Sequence, residues 1–162
     1  QVGGDFGLYD DPGLPQLEHS LQRFPKLVFI AHGPVFWSEI APLATPAERK
    51  PPFFPTGGQT PWPRSNGPID REGVVPTLFR RYGNLYGELS DAAQPLRRDP
   101  EYGARILTEF QDRLLFGTDL CGVGQVFSTR NLLLEWRQEG RISEAVFAKI
   151  ARENATKLFH LD

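Results

Sequence analysis

The sequence has few of the residues that build redox and metal sites. It contains one cysteine among 162 residues, which excludes an intramolecular disulfide and a zinc site made of clustered cysteines. Three histidines limit any histidine-based metal site, and methionine is absent. Because the chain begins at Gln1 and not at an initiator residue, we expect a processed protein or a fragment, and the spacing of its strands favours a fragment.

The sequence also has no large excess of positive or negative residues and no long apolar run. Eighteen Lys and Arg residues face 20 Asp and Glu residues, giving a formal charge of −2 at pH 7. This balance argues against a nucleic-acid partner and against an acidic disordered tail. The longest apolar run, residues 27–31, is far shorter than the ~20 residues of a membrane span, and residues 1–13 have no signal-peptide pattern. We therefore expect a cytoplasmic protein with no membrane partner.

The apolar residues, 40% of the chain, group into alternating strand-like and helix-like segments. Apolar runs predict strands at residues 27–31, 84–89 and 114–118. Helical spacing predicts helices over residues 14–24, 35–40, 72–82, 92–96, 100–112, 127–138 and 143–159. Strands that are apolar throughout are typical of parallel sheets covered on both faces. The pattern predicts an α/β fold, either a small three-stranded sheet or three strands of an eight-stranded barrel.

Proline is concentrated in one insertion, residues 41–72, which holds eight of the 15 prolines. Phe53, Phe54 and Trp62 lie between them, and the segment is too long for an ordinary connection. With Trp37, these aromatic residues would form a lid or an apolar substrate wall. The alternative is that they pack the loop onto its own domain.

Polar residues stand directly after each apolar run: His32, then Ser90 with Asp91, then Asp119. In α/β folds chemistry occurs at the C-terminal ends of the strands. An imidazole and carboxylates at neighbouring strand ends can hold a divalent metal or move a proton. Alternatively, His32 bonds a backbone carbonyl and the aspartates act as helix N-caps.

Four segments carry a resemblance to a known family: LQRFPKLVFIAHG, RRYGNLYGELS, EFQDRLLFGTD and IARENATKLFHL, in that order. Together they resemble the C-terminal part of the amidohydrolase-related family, which comprises metal-dependent hydrolases and decarboxylases on a distorted (β/α)8 barrel. The resemblance spans residues 14–161. It implies that residues 1–162 form a partial TIM-type barrel, roughly strands 6 to 8 with their helices, and that residues 41–72 are an insertion loop.

The resemblance assigns roles to two residues. His32 would be the family's sixth-strand histidine, and Asp119 its eighth-strand aspartate. Both are expected as catalytic residues and as ligands of a divalent metal, with zinc preferred. Such a metal lowers the pKa of a bound water to about 7, and Asp119 would take the remaining proton and deliver it to the leaving group. His32 would orient the water or polarise the substrate carbonyl.

Some features of the family pattern are missing. The family's first strand carries a His-x-His pair and its fifth strand ends in a ligand histidine, and neither is present here. The resemblance therefore implies roughly the last three-eighths of a barrel of about 250 residues, whose first strand here, residues 27–31, has an open edge. Glu88 stands where an aspartate is more usual in the family.

Three further residues are candidates for substrate binding or stability. Ser90 is expected to contact substrate. Arg98 would bind a substrate carboxylate, because guanidinium suits bidentate recognition, or else pair locally with Asp99 at a helix start. Arg113 precedes its strand, so we expect it to make structural ion pairs at the opposite end of the sheet.

The expected function is hydrolysis of a C–N or C–O bond in a small molecule through a metal-activated water. A fragment of this kind is expected to be inactive alone and able to associate into a homo-oligomer through its open edge. Two alternatives stay open: non-oxidative decarboxylation with the same fold and metal, or a non-catalytic α/β module that binds a partner.

Overall fold

The computed structural model of the protein describes residues 10–43, 67–120, 122–124 and 126–161. Most of the predicted insertion, with Phe53, Phe54 and Trp62, lies outside these residues. None of the described helices combines the length and apolarity that crossing a membrane requires. The elements in chain order are α1 (Pro15–Arg23), β1 (Phe29–Ala31), α2 (Pro34–Ser38), α3 (Val74–Arg81), β2 (Leu85–Glu88), α4 (Ala93–Arg97), α5 (Pro100–Glu109), β3 (Leu114–Leu115), α6 (Ser128–Gln138), α7 (Glu144–Ala148), a π-helical segment (Lys149–Glu153) and α8 (Asn154–Phe159).

The three strands form a parallel sheet in the order β1-β2-β3. In register, Phe29 pairs with Leu85, and Gly87 pairs with both Ala31 and Leu114. This confirms the prediction of a mixed α/β fold with a small parallel sheet. Because parallel strands end at one edge of a sheet, the residues that follow β1, β2 and β3 are brought to a common side.

Strand β1 differs from its prediction. We expected residues 27–31 to be buried on both faces, but Leu27, Val28 and Ile30 are 56%, 49% and 39% exposed. The physical reason is that β1 is an edge strand: among the described residues it pairs only with β2. The expected open edge is confirmed for this part of the chain.

An aromatic cluster fills the core between α2, α3 and α5. The Trp37 ring stacks on Phe79 with centroids 6.3 Å apart, and Phe79 stacks on Phe110 at 5.0 Å. Phe36 meets Trp37 edge to face at 5.1 Å. Phe36 and Trp37 are fully buried, and Phe79 is almost so. Aromatic rings bury a large apolar area, so this cluster helps to hold the helices on the sheet.

Backbone hydrogen bonds fasten the two ends of the insertion to each other. The Gly73 N–H donates to the Ile40 carbonyl over 2.9 Å, and the Val75 N–H donates to the Glu39 carbonyl over 3.1 Å. The Tyr102 hydroxyl also donates to Ile40, over 2.6 Å. Position 73 has no room for a side chain, because a Cβ there would lie 2.1 Å from the Glu39 carbonyl oxygen.

Arg113 stabilises the fold through different partners from those predicted. We expected ion pairs, but its guanidinium donates to the backbone carbonyls of Phe79 (2.5 Å), Tyr82 (2.7 Å) and Leu85 (3.3 Å). It also lies 5.3 Å from the centre of the Phe79 ring. The last carbonyls of a helix lack intrahelical donors, and Arg113 supplies donors to them at the C-terminal end of α3.

The C-terminal helical region extends to Phe159 as predicted, but its middle, Lys149–Glu153, is π-helical and a new α-helix begins at Asn154. Ser143 caps α7 as expected, accepting from the Val146 N–H over 3.2 Å. In the π-helical segment the Ile150 carbonyl accepts from the Phe116 N–H over 3.0 Å. The Asn154 amide donates to the Leu114 carbonyl over 2.8 Å. In the wider π turn the Ile150 carbonyl is free to accept from Phe116, the residue that follows β3. This contact explains why the regular α-helix is interrupted here.

We expect Gly73→Ala to lower the free energy of unfolding by about 1–3 kcal/mol, because the new methyl group must displace backbone atoms. Gly83→Ala is the matched control, since a Cβ at that position meets nothing within 4 Å. The control should change stability by less than about 0.5 kcal/mol. Urea unfolding measures both, and equal stability of the two variants would contradict the close packing at Gly73.

Candidate active site

His32 and Asp119 lie together at the common edge of the sheet. The Nε2 atom of His32 is 3.8 Å from Oδ2 of Asp119, and the two side chains are 34% and 41% exposed. This separation permits electrostatic attraction but is too long for a direct hydrogen bond. The predicted juxtaposition of these two residues is therefore present in the structure, and their roles in binding or catalysis stay predictions.

Glu88, the last residue of β2, contacts the other nitrogen of the same histidine. Its Oε2 atom lies 2.6 Å from His32 Nδ1 and accepts from the Ser90 hydroxyl over 2.7 Å. Its Oε1 atom accepts from the Ser90 N–H over 2.9 Å. Three donors thus converge on one carboxylate, and the Nδ1–H tautomer directs His32 Nε2 toward Asp119.

Sequence reasoning missed the role of Glu88. It recorded the residue only as a departure from a family pattern and placed the strand-end chemistry at Ser90 and Asp91. The available signal was an acidic residue at the end of an otherwise apolar strand. A charge in such a position needs a partner if it is to be half buried.

Two glycines make the space that this arrangement needs. A Cβ at Gly117 would lie 1.9 Å from Glu88 Oε1, so only glycine leaves room for the carboxylate. A Cβ at Gly87 would lie 2.7 Å from the ring of Trp37. The indole N–H of Trp37 in turn donates to the Glu88 carbonyl over 2.7 Å. The end of β2 is thereby held from both sides.

Trp37 and Ser90 were both predicted to bind substrate, and the structure places them in supporting positions. Trp37 is 0% exposed and belongs to the core. Ser90 is 6% exposed, and its hydroxyl lies 3.2 Å from His32 Nδ1 while it donates to Glu88. Thr129 holds the same turn by donating to the Leu89 and Ser90 carbonyls over 2.6 and 2.9 Å.

Electrostatics favour a charged His32–Glu88 pair. The hydrogen bond to Glu88 raises the pKa of His32 against the opposing effect of burial, and the charges of Glu88, Asp119 and Asp91 add to it. Burial by itself would raise the pKa of Glu88, but the hydrogen bonds from His32 and Ser90 outweigh it and the pKa is lowered. Each partner stabilises the charged form of the other.

The carboxyl of Asp91 differs from that of Glu88 in the direction of its pKa shift. Burial, followed by the charge of Asp119, raises the pKa of its carboxyl, although His32 acts in the opposite direction. Carboxylates whose environments differ in this way can divide acid and base roles between them. Glu88, whose pKa is lowered, and Asp91, whose pKa is raised, are such a pair.

The backbone has a positive φ at Asp119 and at Gly33, the residue directly after His32. Asp119 has a φ of 44°, in the left-handed region that aspartate tolerates better than most residues. Gly33, directly after His32, has a φ of 91°, which favours glycine. Non-glycine residues held in this region cluster at functional sites, which agrees with the position of Asp119.

Arg98 lies apart from the His32–Asp119 pair along the chain, between α4 and α5. The alternative of a local pair with Asp99 is not formed. Asp99 instead accepts from the N–H groups of Tyr102 (3.0 Å) and Ile69 (2.8 Å), one with each oxygen. Asp99 is thus the N-cap of α5.

The donor set for a metal is incomplete in the part of the chain that the structure describes. No cluster of three or more His, Cys, Asp or Glu side chains that could hold an ion occurs there. His32 Nε2 and Asp119 Oδ2 are donors of the type that zinc binds, and catalytic zinc takes three protein ligands and a water. These two residues fit part of such a site.

Comparison with known proteins identifies the family. The sequence profile described as amidohydrolase matches residues 10–161, so the chain belongs to the amidohydrolase family. This confirms the resemblance carried by the four sequence segments. The family is one of hydrolase-type enzymes that act on small molecules and generally use divalent metals. Searches of curated proteins and of solved structures gave no match.

We expect Glu88→Gln to lower the pKa of His32, because the substitution removes the largest cause of its raised value. The measurement is an NMR titration of the imidazole C2–H signals. The chain has three histidines, so the signals of His19 and His160 serve as internal references. An unchanged His32 titration in the variant would contradict the contact.

The same pair predicts how stability depends on pH. Because the pKa of His32 is raised in the folded protein, its contribution to the free energy of unfolding is fully present below the ordinary pKa of 6.5. That contribution is lost as the pH rises through the raised pKa. Because the pKa of Glu88 is lowered in the folded protein, its contribution to the free energy of unfolding is fully present above the ordinary pKa of 4.5. That contribution is lost as the pH falls through the lowered pKa. The stability difference between the wild type and Glu88→Gln should therefore be largest between these two ordinary values. A difference that is flat with pH would argue against an ion pair.

Proposed function

We propose that this chain is part of a metal-dependent hydrolase that cleaves a C–N or C–O bond at a carbonyl, with His32 and Asp119 in its active site. One observation carries the proposal. In a chain of the amidohydrolase family, the imidazole and the carboxylate that follow two parallel strands lie 3.8 Å apart at the shared strand-end edge. Chemistry in parallel α/β folds occurs at that edge.

The proposed architecture is a (β/α)8 barrel in which β1, β2 and β3 are strands six, seven and eight. Parallel pairing, strand–helix alternation and the open edge of β1 support it. The described residues supply two metal donors, so the proposal places the other ligands on other strands of the barrel.

His32 and Asp119 would hold a divalent ion, with zinc preferred because imidazole nitrogen and carboxylate oxygen are among its usual ligands. When bound, the ion supplies a Lewis acid and makes water nucleophilic at neutral pH. The other contributions come from this chain's own side chains.

Glu88 determines which nitrogen of His32 is available. With Nδ1 donating to Glu88 over 2.6 Å, Nε2 is the nitrogen that faces the reaction side. A carboxylate on the second nitrogen of a ligand histidine fixes the tautomer and the ring orientation and raises the basicity of the first. Ser90 supports the carboxylate through its hydroxyl and its N–H.

Asp119 would take a proton from the attacking water and deliver it to the leaving group. Its side chain is 41% exposed at the strand-end edge, so a small molecule can reach it. Asp91, whose pKa is raised by burial and by the charge of Asp119, is a second group that can hold the proton during turnover.

We expect Asp119→Asn to lower kcat for hydrolysis at least about 100-fold in the metal-loaded enzyme, since the amide cannot accept the proton. Asp112→Asn is the matched control, because Asp112 is 74% exposed and pairs with Lys149 away from the strand ends. Steady-state assays on amide and ester substrates measure the effect, with circular dichroism to verify folding. Full turnover in a folded Asp119→Asn variant would contradict the proposal.

A further inference from the structure

The side chain of Thr129 connects two of the strand–helix units. It lies in the first turn of α6, the helix that follows β3 and Asp119, and it is 1% exposed. Its hydroxyl donates to the Leu89 carbonyl over 2.6 Å and to the Ser90 carbonyl over 2.9 Å, both in the turn that leaves β2. A side chain of the third unit thus reaches the strand end of the second.

The place of Thr129 in the sequence would ordinarily predict a helix cap. Serine and threonine at a helix start usually accept from the backbone N–H groups of the first turn. The N-cap of α6 is instead Phe127, whose side chain cannot accept a hydrogen bond. The Thr129 hydroxyl donates to carbonyls of another element. It therefore serves the turn after β2.

Of the two carbonyls in this turn, that of Ser90 depends more on Thr129. Leu89 is also held by backbone bonds, because its carbonyl accepts from the Ala92 N–H over 3.0 Å and its N–H donates to the Leu115 carbonyl over 2.9 Å. Ser90 is the residue whose N–H and hydroxyl both donate to Glu88, over 2.9 and 2.7 Å. The orientation of Ser90 thus determines whether both donors reach the carboxylate.

From Ser90 the contacts continue to the histidine and back to α6. Glu88 Oε2 lies 2.6 Å from His32 Nδ1, and Nε2 of the same ring lies 3.8 Å from Asp119 Oδ2. Asp119 lies in the connection between β3 and α6, the helix that carries Thr129. The ends of the three strands are therefore joined in one closed series of contacts.

We propose that Thr129 is a positioning residue for His32: through Ser90 it holds Glu88 in the orientation that keeps the proton of the neutral imidazole on Nδ1. This inference rests on the proposed function, in which Nε2 is the nitrogen that faces the reaction side. The hydroxyl is required, and not only the shape of the side chain, because its proton makes the contacts to the turn. A purely structural role would leave the tautomer of His32 unchanged.

The test is nitrogen-15 NMR of the imidazoles in this chain, at a pH above the titration of His32. The shifts of the two ring nitrogens report which of them carries the proton. The His32 signals are those that disappear in His32→Asn, and His19 and His160, which are exposed, are the internal references. The Nδ1–H form of His32 should predominate in the wild type. Thr129→Val keeps the shape and loses the hydroxyl, and it should lower the ratio of Nδ1–H to Nε2–H about tenfold.

Two further variants separate the hydroxyl from the packing of the side chain. Thr129→Ser keeps the hydroxyl and should have the wild-type ratio. Thr129→Ala loses the hydroxyl without placing a methyl group against the carbonyls, so it should lower the ratio even if Thr129→Val does not fold. Thr108→Val is the matched control, because the Thr108 hydroxyl also donates to a backbone carbonyl, that of Ala104 over 2.8 Å, within α5.

The proposal is overturned if the Nε2–H form predominates in the wild type, or if a folded Thr129→Val or Thr129→Ala keeps the wild-type ratio. An equal change in Thr108→Val, or a lowered ratio in Thr129→Ser, would also overturn it. Failure of both hydroxyl-free variants to fold would assign Thr129 a structural role alone.

The positioning role and the hydrolytic mechanism fail separately, because the tautomer is measured without turnover. A changed tautomer in Thr129→Val together with full turnover in Asp119→Asn would overturn the hydrolytic mechanism alone. An unchanged tautomer in Thr129→Val together with loss of turnover in Asp119→Asn would overturn the positioning role alone.

Discussion

The arrangement of the site depends on one half-buried carboxylate. Glu88 receives a hydrogen bond from His32 and two from Ser90, and these outweigh the cost of burying its charge. The contact joins the end of β1 to the end of β2 and occupies Nδ1 of the imidazole. The nitrogen left for chemistry is Nε2, which lies 3.8 Å from Asp119 at the end of β3.

The surrounding fold is shaped to hold that carboxylate in place. Parallel pairing in the order β1-β2-β3 puts the central strand, with Glu88 at its end, between His32 and Asp119. Trp37 links the core to the Glu88 carbonyl, and Gly117 leaves the space that the side chain occupies. Packing in the core and chemistry at the edge are thus connected through a single residue.

The sequence predicts the parts of this picture that depend on local pattern. Apolar periodicity located the strands and most helices, and the polar residues after the strands identified His32 and Asp119. The Glu88 contact depends on the register between β1 and β2. Trp37 was predicted to line a substrate wall, and its burial in the core depends on packing against Phe79. The exposure of β1 and the π-helical turn at Lys149–Glu153 likewise arise from tertiary contacts, which periodicity does not encode.

We propose that His32 Nε2 and Asp119 share one metal ion while Glu88 holds His32 Nδ1. The most direct measurement is a crystal structure of the metal-loaded enzyme with anomalous scattering at the metal edge. We expect the ion at about 2.0–2.2 Å from both His32 Nε2 and an Asp119 oxygen, with the His32–Glu88 hydrogen bond retained. An ion bound away from both residues, or a histidine turned to present Nδ1 to the metal, would contradict it.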